Sequence, residues 1–241
     1  MALQSSGAIS LDDMHVEAGG TTGTSCTIND SDIRDMIDKA DGASVSFNEY
    51  YGASSTTYVA ASGGATTTSG NYKYHYFNSS GTLTFSSIGS GGASNTVDYI
   101  VIAGGGSGGA GHSSRPLYDS QGGGGGAGGY LTGTFSAVAQ AYTITVGGGG
   151  SSVTSAWGYT NNGSNSSIAG VATATAGGGG GYRANLGYTI NGSNGGSGGG
   201  GGTNMSGNNE GSGTSGQGND GQEGSQTGFR AGHGGLSLIH I

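Results

Sequence analysis

The chain has few residues that can cross-link, kink or carry charge. Its one cysteine, Cys26, allows no internal disulfide and no cysteine-rich zinc site. Proline occurs once and the glycines keep no period of three, which excludes a collagen-like helix. Charged residues make up 8%, and the net charge is −8 with only six Lys and Arg, a poor match to nucleic acid. No apolar run approaches the ~18 residues of a membrane span, so membrane insertion is not expected. Met1–Leu11 lacks both the basic stretch and the apolar core of a signal peptide, so none is expected there. Glycine takes the place of these residues, supplying 59 of 241 positions against a usual ~7%.

The glycine is unevenly placed. Residues 1–103 hold ten of the fourteen acids and can build a modest side-chain core, whereas residues 104–241 are nearly neutral and one-third glycine. The change is abrupt after Asp98-Tyr99-Ile100-Val101-Ile102-Ala103. Within 191–235 the only large apolar residues are Met205 and Phe229. Side-chain burial there cannot offset the ~1–2 kcal/mol per residue lost on ordering the backbone. Either this half is a flexible linker, or backbone packs on backbone. Without Cβ atoms, polyproline-II strands can approach to contact and hydrogen-bond laterally. An ordered array needs pure glycine runs separated by turns holding the other residue types. The chain has runs at 104–111, 122–129, 147–150, 177–181 and 195–202, with mixed intervals His112–Gln121, Ala156–Asn165, Tyr182–Asn194 and Thr203–Glu210.

The first half carries ordinary signals. Asn29-Asp30-Ser31-Asp32 predicts a helix start, capped by Asn29 or Asp30. Ile33, Met36, Ile37 and Ala40 give it one apolar face, which needs neighbours such as Ile9, Leu11, Val45 and Phe47, and Gly42 suits its end. Tyr72–Phe77 and Thr82–Phe85 alternate around Asn78-Ser79-Ser80-Gly81, which predicts a hairpin. Val97–Ala103 reads as a buried strand, Tyr142–Val146 as an alternating one, and Ser166–Thr175 as two more short strands.

No motif supports catalysis. Gly104-Gly105-Gly106-Ser107-Gly108-Gly109 fits the letters of a dinucleotide fingerprint, but the following residues have no apolar face and Pro116 would break the required helix. No Gly-Lys-Ser/Thr follows any run, so a nucleotide P-loop fails as well. Ser107 and Ser197 match Gly-x-Ser-x-Gly inside glycine runs, without the helix a nucleophile elbow leads into. Gly216–Asp220 is half of a calcium-roll repeat and stands alone. The five histidines lack ligand spacing. Asp12, Asp13 and Glu17 read as turn-capping and solubilising acids. No catalytic residue, metal or cofactor is expected. A binding signal is stronger. Tyr118, Trp157, Tyr159, Tyr182 and Tyr188 fall near Arg115, Asn161, Asn162 and Arg183, the mixture of flat apolar faces and planar polar groups that reads glycans and protein surfaces. The same rings could equally cover the edges of the array.

Two stretches resemble known proteins. Ile9-Ser10-Leu11-Asp12-Asp13, Glu17-Ala18-Gly19-Gly20, Ile28–Arg34 and Val45–Ser54 resemble the N-terminal module of tailed-bacteriophage virion proteins, tail fibres above all. Phe77–Phe85, Val97–Gly106, Gly128-Gly129-Tyr130 and Tyr142–Gly147 resemble the glycine-rich domain of phage tail fibres. They are also similar to tail-tip adhesins whose glycine strands form a polyproline-II sandwich with receptor-reading loops, although the opening residues differ from those adhesins. The resemblance implies a mostly β and irregular fold in parts. Residues 1–55 would be a small α+β virion-attachment module with one short helix, 56–103 a β-hairpin bridge, and 104–235 a polyproline-II/β sandwich-like receptor-binding domain. It implies an adhesin in the virion, outside the cell, docked through residues 1–55 to other tail or fibre proteins and binding a host glycan or outer-membrane protein. Self-association is left open. The alternative is a structural virion or filament protein with the array as a stiff spacer. Leu236–Ile241 resembles the translation of a sequencing-adapter end, which would place the natural C-terminus elsewhere.

Overall fold

A serine with an acid three residues on starts two of the three helical turns. The computed structural model describes residues 3–40, 42–53, 57–90, 93–111, 121–153, 160–183, 189–203, 209–225 and 230–236. Two units emerge, one of residues 1–61, 85–96 and 136–140, the other of 62–84, 97–135 and 141–241.

In the first unit, Ser10 Oγ accepts from the Asp13 N–H and the Asp13 carboxylate accepts from the Ser10 N–H at 2.8 Å. This capping box opens α1 (Leu11–Glu17), a helix the apolar spacing did not predict. Asp12 ties down the Gly23 N–H at 2.7 Å, so both acids serve turns. The expected helix is α2 (Ser31–Asp35), shorter than its apolar pattern. Asp30 holds the cap position but spends its carboxylate on the N–H and hydroxyl of Thr27, both at 2.8 Å. The early stop follows from Arg34, which is fully buried. Its guanidinium donates to Asn29 Oδ1 at 2.9 Å and to the carbonyls of Ala40 and Ala43, drawing the following chain back over the helix. Asp38 at φ +53° and Gly42 at φ +79° complete that reversal. A 3-10 turn, Phe47–Tyr50, has its own capping box from Ser46 and Glu49. The core is Leu3, Met14, Ile33, Met36 and Tyr50, lined by Ile9, Leu11 and Val45. Phe47, expected beside them, stays exposed.

The second unit contains most of the strands. β1 (Ala60–Ser62) precedes β2 (Ala65–Ser69), which pairs antiparallel with β3 (Tyr72–Tyr76) around Gly70-Asn71. β4 (Gly81–Ser87) therefore does not pair with β3, as the alternation suggested. The two-residue turn, with Gly70 at φ +56°, closes β3 onto β2 instead. The sheet of β4 continues through β7 (Ala141–Thr145), β8 (Ser166–Ile168) and β9 (Ala172–Ala174), all antiparallel. β5 (Thr96–Ile102) pairs with β6 (Tyr130–Ser136). Val101 and Ala103 pack with Ala174, Leu131 and Ile168. The apolar run of β5 is buried on that face alone, for Ile100 and Ile102 are exposed. Phe135 bridges Tyr99, at 6.3 Å between centroids, and the edge of Tyr142, at 5.5 Å.

The glycine-rich half is ordered by backbone. The N–H groups of Ala103, Gly106 and Gly109 donate to the carbonyls of Gly129, Gly126 and Gly123 at 2.8–3.0 Å. Those of Gly123, Gly126 and Gly129 donate in turn to Gly181, Gly178 and Thr175. Every partner recurs at the third residue, the period of a polyproline-II helix rather than a β-strand. Run 121–129 also donates from Gly124 and Ala127 to Gly232 and Gly235, and accepts at the same two residues from Gly200 and Ser197. One strand thus bonds four neighbours, which a pleated strand cannot do. A Cβ on Gly125 would lie 2.2 Å from the Gly106 carbonyl oxygen, and one on Gly128 would lie closer still to that of Ala103. The described parts of 191–235 belong to this lattice, so they are not a linker.

Two predictions follow from the packing. The Asp13 carboxyl is held below its ordinary range by the Ser10 hydroxyl and N–H, Asp30 by the Thr27 N–H and hydroxyl, and Glu49 by Lys39 and the Ser46 N–H. Folded-state values below the unfolded ones give stability that is present above the ordinary carboxylate range and lost as pH falls through the lowered values. NMR titration of Asp13 should show the low value, and Ser10→Ala should return it toward the ordinary one. In the lattice, Gly125→Val should cost ~1–3 kcal/mol or more. Gly148→Ala, whose Cβ would meet nothing within 4 Å, should cost less than ~0.5 kcal/mol. Gly179→Val should fall between, since its Cβ meets the Thr160 side chain at 2.9 Å. Thermal melts rank the three, and equal effects would exclude the lattice.

Candidate functional site at one end of the glycine lattice

The direction of each run fixes where its connections lie. Run 103–111 is antiparallel to 121–129 and to 160–165, because Gly104 and Ser107 donate to Ser164 and Asn161. Run 146–153 is antiparallel to 160–165, through Ser164 to Gly148 and Asn161 Nδ2 to Ser151. Run 175–183 is parallel to 103–111, with Gly177 and Gly180 donating to Gly104 and Ser107. Run 196–203 is parallel to 175–183, and 217–225 to 196–203. The returning runs 189–195, 209–214 and 230–236 are antiparallel to these. The described runs on either side of residues 112–120, 154–159, 184–188, 204–208 and 226–229 therefore all break off and resume at the same end of the lattice. At the opposite end the runs continue into β6 and β7, which belong to different sheets, into the hairpin β8–β9, and into the turns near 194–196 and 214–218.

The bases of these connections are tied together. Thr203, fully buried, accepts at Oγ1 from the Gln121 N–H at 2.8 Å, while its own N–H donates to the Gln121 carbonyl at 3.0 Å. This joins the first connection to the fourth. Asn209 Oδ1 accepts from the Gly224 N–H at 2.9 Å, joining the fourth to the fifth. β10 (Tyr182–Arg183) pairs with β11 (Thr189–Ile190) beneath the third. The Ser225 N–H donates to Arg230 beneath the fifth.

The residues expected to bind are placed differently from one another. Arg115, Tyr118, Trp157, Tyr159 and Tyr188 belong to these connections and lie outside the described residues. Arg183 is described only by its backbone, which pairs with Thr189. Tyr182 is 3% exposed, so its ring is buried at the base of the end. Asn161 and Asn162, expected on a loop, belong to a lattice run. Asn161 Nδ2 donates to Ser151 at 3.2 Å, and Asn162 Oδ1 accepts from the Gly179 N–H at 2.9 Å. The expected interval Ala156–Asn165 therefore rejoins the lattice by Thr160, and Tyr182–Asn194 rejoins it by Thr189.

Sequence reasoning missed how widely polar side chains stand in for lattice carbonyls. Asn165, Asn194, Gln217 and Asp220 accept from the N–H groups of Ala176, Ser212, Thr175 and Gly213 at 2.7–2.8 Å. Asp220 and Gln217 are the residues of the apparent calcium motif, and they are spent on backbone. Ser107 Oγ accepts from the Asn161 N–H, and Ser197 Oγ donates to the Leu236 carbonyl. The available signal was the recurrence of Asn, Ser and Gln beside glycine runs. Among the described residues, no group of three or more His, Cys, Asp or Glu side chains could hold a metal. No described helix is long and apolar enough to cross a membrane.

A family model for a glycine-rich domain matches residues 79–238. No curated protein and no solved structure matches the chain.

The lattice role of Asn162 can be measured. Asn162→Val should speed hydrogen exchange at the Gly179 amide and cost about 1 kcal/mol, whereas Asn162→Asp keeps an acceptor and should protect that amide. Equal exchange in both variants would exclude the role.

Proposed function

The chain belongs to the glycine-rich domain family, and from that premise we propose that it is a tailed-phage tail-fibre or tail-tip adhesin. The glycine lattice presents a receptor-reading end, and residues 1–55 attach to other fibre or tail proteins. The observation that supports this reading is that the described runs flanking five stretches of sequence, which include Tyr118, Trp157, Tyr159 and Tyr188, all break off at one end of the backbone-bonded lattice. Aromatic rings beside Arg115 and short polar residues supply large contact area at low entropy cost, together with directional hydrogen bonds. Fixing the base of each connection lowers the ordering cost of binding. The ligand class is a host surface glycan or an outer-membrane protein, and the site of action is the virion outside the cell. No catalytic step is assigned. Tyr182, Asn161 and Asn162 act in this scheme as supports of the end rather than as its contact surface.

The test is binding of the purified chain to a panel of host cells and their envelope glycans. The chain should bind at least one host. A Trp157→Ala, Tyr188→Ala double variant should weaken that binding about tenfold or more with an unchanged melting temperature. Exchanging residues 112–120 and 154–159 should change which hosts are bound. Unchanged infectivity and host range after such exchanges would favour a stiff spacer, and loss of polysaccharide chain length on incubation would indicate a depolymerase.

A further inference from the structure

The hairpin of β2 and β3 carries a second set of aromatic residues, separate in sequence from those of the stretches above. Tyr72, Tyr74 and Tyr76 alternate along β3 and so share one face. They are 66%, 43% and 50% exposed, unusual for three successive large rings on one strand. Their centroids step by 6.4 and 6.3 Å, and the ring planes differ by 41° between Tyr72 and Tyr74 and by 20° between Tyr74 and Tyr76. Opposite them on β2 stand Ser69, Thr67 and Ala65, all exposed. Each of the first two rings is therefore paired with a hydroxyl-bearing neighbour on the same face. Lys73 and His75 occupy the other face, where His75 Nδ1 lies 2.7 Å from the Gly63 carbonyl. The ladder ends in an open groove of about 360 Å³ whose lining includes Ala65, Tyr76, Asn78, Ser79 and Ser80. Those last three residues are exposed and add an amide and two hydroxyls.

We propose that the Tyr72–Tyr74–Tyr76 ladder and the groove beyond Tyr76 form a binding site for a neutral, extended polysaccharide chain. Sugar rings present C–H faces that lie against tyrosine rings, and edge hydroxyls that pair with serine, threonine and asparagine. The ladder's step is the two-residue spacing of a strand, and it sets the three rings in one row along which an extended sugar chain can lie. The face bears no charge and the chain carries −8, so the occupant is uncharged rather than a polyanion. The site stands apart from the adhesin reading, since none of its residues belongs to the connections at the lattice end.

Affinity electrophoresis of the full chain through native gels containing laminarin, galactomannan or dextran tests it, with heparin as the anionic comparison. Retardation is expected in at least one neutral gel. Tyr74→Ala should weaken it about tenfold, while Tyr74→Phe and the opposite-face Lys73→Ala should leave it unchanged. Should Tyr74→Ala lower the melting temperature, Tyr72→Ser at the most exposed ring takes its place and should weaken retardation likewise. Trp157→Ala should have no effect here, which separates this site from the lattice end. The proposal is overturned by the absence of retardation in every neutral gel, by retardation in heparin alone, or by retardation that both tyrosine variants leave intact. Self-association in sedimentation that Tyr74→Ala abolishes would assign the ladder to a second copy and overturn it equally.

Discussion

Backbone approaching backbone without a Cβ between is the contact on which this protein's larger unit depends. Glycine is usually a cost in a folded chain, because it loses the most conformational freedom. Here the cost is offset by geometry that no other residue permits. A polyproline-II run turns its N–H groups and carbonyls outward on three sides, so one strand can be bonded all round. Run 121–129 is bonded in this way to four neighbours. Its glycines leave no room for a methyl group, as at Gly123, Gly125 and Gly126, where a Cβ would lie 2.0–2.2 Å from a neighbouring carbonyl oxygen. Dense packing and hydrogen bonding come from the same atoms, so the lattice needs almost no side-chain core.

The lattice is not closed by backbone alone, and polar side chains complete it. Some N–H groups within the runs meet no lattice carbonyl, and a buried N–H without a partner is costly. Asn162, Asn165, Asn194, Asn209, Gln217 and Asp220 meet that need with side-chain oxygens. Ser107 and Thr203 do so with hydroxyls. The same residue types would be natural in a receptor-reading loop, so composition alone could not separate lattice from loop. Asn161 and Asn162 illustrate the difficulty.

Legibility in the sequence varied with the kind of order. The array itself was visible, since pure glycine runs separated by mixed intervals have a physical reason only if backbones pack. The three-residue repeat of its hydrogen bonds was not, because glycine has no side chain with which to mark a face. In the first unit, α2 was marked by its acids and apolar spacing, but its length was set by Arg34, a buried charge whose carbonyl partners come from the chain beyond the helix. α1 rests on one capping box and a single buried residue, Met14, too little for a periodic signal. Strands β3, β4, β5, β7, β8 and β9 were marked by their alternation or apolar runs, whereas β1, β2 and β6 were not, and β3 met the unmarked β2 rather than β4 because Gly70-Asn71 closes more tightly than the four-residue turn at Asn78. Of the residues expected to bind, the structure explains Tyr182, Asn161 and Asn162 through the base they build.

The division between lattice and connections also sets where this sequence can change. Within a run, a substitution meets backbone that belongs to several strands at once, so one added side chain would displace several partners. Where the described runs break off, their anchors are backbone bonds such as Ser225 to Arg230, which do not depend on the side chains of the residues between them. The ties at Gln121–Thr203 and Asn209–Gly224 hold neighbouring anchors in register whatever the connections contain. A scaffold of this type separates stability from surface chemistry more completely than a side-chain core does, because a core residue near a loop serves both. Most of the lattice interior is glycine packed against backbone, with Ser107, Ser197, Thr203 and Asn209 as its buried polar side chains, so the room for new side chains lies mainly outside the runs.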